Sequence, residues 1–137
     1  MDISTPIDVD KAIQGLGGDP NIFYMMLENL EKLALNKTMK DIVAEYDNRN
    51  YQGMKDLAHS LKGASGYIGA SRLHYACYFI QEHFVYDRKE KMLEYYPSLV
   101  EAAIEFKVYS RTLIARFKSM STSIMRFLFV LFRQYQL

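Results

Sequence analysis

The sequence predicts an all-α fold: an up-down-up-down four-helix bundle with a short N-terminal helix across one end and an extra C-terminal tail. Three observations carry this. Apolar residues recur at helical spacing in four long stretches, and nowhere do they alternate with the period of a strand. Glycine and proline punctuate the first half, after which Pro97 is the only breaker to the C-terminus. The 137 residues, 50% apolar and 24% charged, supply one ordinary domain with a core that needs no disulfide or structural metal.

Taken in order, Asp8 caps a helix of about two turns that stops at the Gly15 to Gly18 cluster, where glycine accepts the left-handed geometry of a helix end. Asp19 and Pro20 are an N-cap followed by proline at the first helical position, so a long helix starts there. Its apolar positions are Phe23, Met26, Leu27, Leu30, Leu33 and Ala34, then Ile42, Val43 and Tyr46, and Asp47 to Asn50 closes it. The next helix runs from about Tyr51 to Ile68. At 100° per residue, with His59 as zero, Leu57, Leu61, Ala64 and Ile68 lie between about 140° and 200°, which makes them the expected core face. A further helix from Ser71 carries Leu73, Ala76, Cys77, Ile80 and Phe84 on one side. A last one after Pro97 carries Leu99, Ala102, Ala103, Phe106, Leu113 and Phe117. The chain divides into a bundle over residues 1–116 and a basic, apolar tail over 117–137.

Several function classes fall away. One cysteine, Cys77, allows no internal disulfide and no CxxC metal or redox motif, which fits a reducing, cytoplasmic setting or the nucleus. The acidic, proline-broken N-terminus does not read as a signal peptide, and the longest apolar run, Phe127 to Phe132, is far short of a spanning helix. Gly63, Gly66 and Gly69 follow Lys62 with no strand before them, the wrong order for a phosphate-binding loop. His74, Cys77 and His83 make a poor metal set, because Cys77 lies on the apolar stripe. The eleven tyrosines are not interleaved with a basic groove, so nucleic acid is not an expected partner.

The chemistry concentrates at His59. The wheel places it opposite the core face, pointing at solvent, with Lys55, Lys62, Gly63 and Gly66 within about 60°. Helical side chains lean toward the N-terminus, so a side chain at 63 would lie over the turn bearing His59, and glycine there leaves the imidazole accessible. Lys62 leans back beside the ring, and Lys55 sits one turn before it. A nucleophilic imidazole flanked by positive charge is the constellation of a phosphoacceptor.

The run Ala58-His59-Ser60-Leu61-Lys62-Gly63-Ala64-Ser65, followed by Ile68-Gly69-Ala70 and then Leu73 and Cys77, resembles the histidine-containing phosphotransfer (HPt) domain of multistep two-component phosphorelays, over residues 8 to 116. The resemblance implies that His59 accepts a phosphoryl group from a receiver-domain aspartyl phosphate and passes it to another receiver. It implies that Lys62 stabilises that group, that Gly63 permits the partner's approach, and that Gln81 on the next helix hydrogen-bonds the imidazole. Such a protein is a stoichiometric carrier and not an enzyme, has no ATP site and no cofactor of its own, and relies on Mg²⁺ held by the receiver. Its partners are the receiver domains of a hybrid histidine kinase and of a response regulator. The docking patch expected here is Ile13, Leu16 and Phe23 around Lys55, Lys62 and Gly66. The competing reading is a helical adaptor that binds receivers without transfer.

No acid follows Glu105, so residues 106–137 carry six bases and a charge of +6, against −5 for residues 1–105. The tail is too apolar to lie bare in water. It is expected to fold back on the bundle or to be poorly ordered, with a partner, a second copy or a membrane surface as other occupants.

Overall fold

The computed structural model describes residues 2–135, and among them every regular element is helical. The elements are α1 (Val9–Gly15), α2 (Pro20–Asn29), a π-helical turn (Leu30–Ala34), α3 (Leu35–Asp47), α4 (Tyr51–Tyr67), α5 (Ser71–Val85) and α6 (Lys89–Tyr135). α2, the π-turn and α3 run on without a break, so four long rods form the bundle. α4 packs between α3 and α5, and α6 closes the ring against α5 and α2.

The three links between rods share one construction. Each holds a residue in the left-handed region, Arg49 at φ 55°, Gly69 at φ 71° and Asp87 at φ 55°. In each, the next amide reaches back to the helix just ended: Asn50 to the Glu45 carbonyl at 2.9 Å, Ala70 to Ser65 at 2.9 Å, Arg88 to His83 at 2.7 Å. This is a Schellman stop, and it turns the chain within three residues. Only at 69 is glycine demanded by space as well as by φ, because a Cβ there would sit 2.7 Å from the Asp8 carbonyl oxygen. That contact ties α1 to the turn between α4 and α5, where the Asp8 amide donates to the Gly69 carbonyl at 2.9 Å. Arg72 holds the segment before α1, donating to the carbonyls of Ile3 and Ser4 at 3.0 Å each while pairing with Glu105.

The buried core runs the length of the bundle through Phe23, Leu27, Leu35, Ile42, Met54, Leu61, Leu73, Ile80, Met92, Leu99 and Phe106. Four sequence expectations are corrected by it. In the second rod, Leu33 and Ala34 are exposed and Leu35 is buried instead, because the π-turn adds one residue and rotates the apolar stripe. In α4 the buried residues are Met54, Ala58, Leu61 and Ser65, a face turned by about 60° from the expected one, so Ala64 is exposed and Leu57 only half-buried. The last helix begins at Lys89, and Pro97 lies inside it. A proline there removes one backbone hydrogen bond at a cost of about 3 kcal/mol, but Met92 and Leu99 on either side are fully buried and hold the helix together across it. Finally, residues 117–135 do not fold back. They continue α6, since nothing in the sequence breaks the helix there. The side chains of Arg126, Phe129 and Arg133, which the sequence reading includes in the tail's basic and apolar sets, lie outside the described residues.

Candidate functional site

α4 presents its polar face to solvent because Asn50 caps it, accepting from the Gly53 amide at 3.1 Å, and because its apolar side is committed to α3 and α5. His59 stands on that face and is exposed, as the wheel requires. Its Nδ1 lies 3.3 Å from Oε1 of Gln81 on α5. An amide oxygen can only accept, so this contact is a hydrogen bond in the tautomer with the proton on Nδ1, which leaves the Nε2 lone pair free.

One turn on, the Lys62 ammonium lies over the Tyr78 ring, 5.9 Å from its centroid. Lys62, Tyr78, Gln81, Glu82, Val85 and Tyr86 line a hollow of about 210 Å³ between α4 and α5. The Glu82 carboxylate beside Tyr78 holds the Tyr78 phenol above its ordinary pKa, with partial burial adding to the effect. Lys62 makes no ion pair among the described residues, so its charge is available to an incoming anion. Its carbonyl is doubly held besides, taking Ser65 Oγ at 3.1 Å and the Nδ1–H of His74 at 3.0 Å.

Lys55 is placed differently from Lys62. Its ammonium pairs with Asp56 at 2.7 Å and packs 5.5 Å from the Phe84 ring centroid, leaving its side chain 23% exposed. That hydrogen bond, seconded by Gln52, keeps the Asp56 carboxyl below its usual range. Of the two lysines on this face, Lys62 is therefore the one whose ammonium makes no ion pair among the described residues.

The two glycines beside His59 also differ. A Cβ at Gly63 would meet nothing within 4 Å, so the surface over His59 is open there. A Cβ at Gly66 would sit 3.2 Å from His74 Nδ1, which gives Gly66 a packing role as well as a surface one. Of the expected docking patch, Leu16 and Gly66 share one hollow of about 230 Å³ under α1. Ile13 is half-buried against the core. Phe23 is a correction: it is fully buried, packed edge-on against Tyr24, and presents nothing to a partner. Sequence reading missed Tyr78 and Glu82, which sit one turn apart on α5 beside Gln81, and it missed His74 as the anchor of the Lys62 turn. Their spacing of 74, 78 and 81/82 along one helix face is the signal that could have found them.

The family model of the Hpt domain matches residues 25–118, well over half of the chain. The chain belongs to the Hpt domain family. The match opens within α2 and ends at Lys118, so it leaves out α1 and most of the tail. No curated protein and no solved structure matches the chain. As an Hpt domain, the helical bundle has a phosphotransfer role in two-component phosphorelays and interacts with receiver domains. Among the described residues no helix is long and apolar enough to cross a membrane.

Proposed function

We propose that this Hpt domain carries phosphoryl groups on His59, taking each from the aspartyl phosphate of one receiver and giving it to the aspartate of another. A single observation supports the reading most: Gln81 Oε1 faces His59 Nδ1 at 3.3 Å, which leaves Nε2 as the free nucleophile on an exposed face. In the forward step the Nε2 lone pair attacks phosphorus, the phosphorus–oxygen bond to the receiver's aspartate breaks, and the aspartate leaves as a carboxylate. The Nδ1 proton stays on the ring, and the positive charge that arises there is met by the Gln81 oxygen. Lys62 stabilises the phosphoryl oxygens.

Transfer of this kind rests on in-line positioning and charge neutralisation more than on covalent chemistry, and Mg²⁺ in the receiver supplies the rest. The open surface over Gly63 lets the receiver's pocket close on the imidazole. The protein needs no cofactor of its own and turns nothing over. Leu16 and Gly66, with Lys62, form part of the surface a receiver meets.

The test is transfer from a phosphorylated receiver domain in the presence of Mg²⁺, with His59→Gln beside the wild type. Label that is acid-labile and alkali-stable on the wild type, and absent from the variant, is the expected result. Receiver binding that survives in both proteins without any label would reject the carrier and leave an adaptor.

A further inference from the structure

Residues 119–135 carry α6 past the body of the bundle. The last ties to that body are Phe117, stacked on Tyr24 with ring centroids 4.1 Å apart, and the Lys118 ammonium, which donates to Glu28 at 2.8 Å. Beyond them Met120, Ile124, Met125, Phe127, Leu128 and Phe132 are each at least half exposed. Scattered apolar side chains on a surface are ordinary, but six within four turns of one helix are a continuous apolar face.

Because the segment is helical, its two sides can be assigned at 100° per residue, taking Ser119 as zero. Met120, Ile124, Phe127, Leu128, Leu131 and Phe132 fall between about 80° and 220°. In sequence phase, Ser119, Thr122, Ser123, Arg126, Arg133 and Gln134 fall on the opposite arc, from about 300° through zero to 60°. By sequence phase Met125 at about 240° and Phe129 at about 280° widen the apolar side to about 200°, and Ser121 and Val130 are out of phase with their own sides.

Three properties decide what covers the apolar arc. Its width, about 200°, exceeds the narrow seam of a two-stranded coiled coil. Its charge is of one sign, since no acid follows Glu105, so a second tail alongside would add like charge with nothing to neutralise it. Its reach is about 25 Å at 1.5 Å per residue, and no helix among the described residues is apolar enough to span a bilayer. A helix that is apolar on one side, basic on the other and unable to cross lies along the membrane surface. We propose that residues 119–135 dock the protein on an anionic lipid surface, with the apolar arc in the headgroup–acyl boundary and the uniformly basic charge of the tail drawn to the headgroups.

The experiment is sedimentation of the full chain with vesicles of phosphatidylcholine alone and of phosphatidylcholine with phosphatidylserine, alongside light scattering of the protein by itself. Binding to the anionic vesicles, weakening as salt rises, is expected. The double variant Phe127→Asp/Leu128→Asp should abolish it. The pair Arg126→Gln/Arg133→Gln should weaken it about 25-fold, roughly fivefold for each basic residue at the surface. Thermal unfolding of the bundle should be unchanged in both, because the substitutions lie beyond it. Three results would overturn the proposal: no sedimentation with anionic vesicles, equal sedimentation with neutral ones, or a dimer in light scattering that the aspartate pair dissolves, which would give the face to a second copy.

Discussion

Replacing Lys107 and Arg111 together by methionine isolates a carboxylate in the interior. Glu31 is 1% exposed, and one of its oxygens, Oε1, takes both cations: Arg111 Nε at 2.8 Å and the Lys107 ammonium at 3.3 Å. With both removed, the charge stays in a dry site without a partner. Breaking a buried ion pair from one side costs about 3–5 kcal/mol. Because the two cations converge on one oxygen, Lys107→Met or Arg111→Met alone leaves a partner in place and should cost about 1 kcal/mol. Adding Glu31→Met to the double variant removes the stranded charge and should recover most of the loss, since an apolar side chain in a buried ionic site is close to neutral. Urea unfolding followed by circular dichroism reads all four variants against the wild type, and the double variant's melting temperature should fall by roughly 10–15 °C. A double variant within 1 kcal/mol of the wild type, or a triple variant no better than the double, would refute the reasoning and mean that Glu31 is solvated in the fold.

Gln81→Leu removes the acceptor at His59 Nδ1. At 3.3 Å and on the surface this bond is at the weak end, worth about 0.5–1 kcal/mol. The fraction of His59 protonated at Nδ1 should therefore drop twofold to fivefold relative to the other tautomer, measured by nitrogen NMR of the imidazole, and an unchanged ratio would remove Gln81 from the site. Gly63→Ala enters open space, so it should stabilise the helix by about 1 kcal/mol in urea while slowing phosphoryl transfer. Gly66→Ala should be near neutral, because the same gain is offset by a Cβ pressed 3.2 Å from a His74 ring that is anchored on the Lys62 carbonyl. Equal stabilisation by both would show that His74 gives way freely. The buried Cys77 thiol is pushed up to about 12 by desolvation. It should resist iodoacetamide at pH 8 in buffer and react fully in denaturing urea, whereas rapid labelling of the folded protein would contradict its burial.

What was legible in the sequence was whatever is decided locally. Asp8 caps α1 by accepting from the Lys11 amide, Asp19 and Pro20 open α2, and α4 and α5 begin at the expected Tyr51 and Ser71. Capping involves three or four consecutive residues, so a single window of sequence contains it. What failed was decided by neighbours. The buried face of α4 is set by α3 and α5 packing on either side of it, and no periodicity within α4 encodes that angle. Pro97 argues for a helix start only if nothing else holds the preceding turns, and the buried Met92 does. At the site, the exposure of His59 was readable from its phase against Leu61 and Ile68. The capture of Lys55 by its own neighbour Asp56 was not, because adjacent residues on a helix do not ordinarily face each other. Phe23 and Leu16 read alike as apolar residues near one end of the bundle, and only packing separates the core residue from the one lining a hollow.

The π-turn leaves one residue too many in the second rod. Buried apolar positions fall at Phe23, Leu27 and Leu30, then step by five to Leu35 before Ile42. Deleting a residue from inside a packed helix ordinarily spins everything beyond it by 100° and exposes the core. Here deletion of Leu33, which is 68% exposed, would close the step to four and bring both halves of the apolar stripe into one unbroken α-helical phase. A chain shortened at Leu33 should therefore keep a cooperative urea transition, and what shortening would take away is local. Glu31, now turned inward beneath Arg111 by the wider turn, would lose the geometry that holds it there.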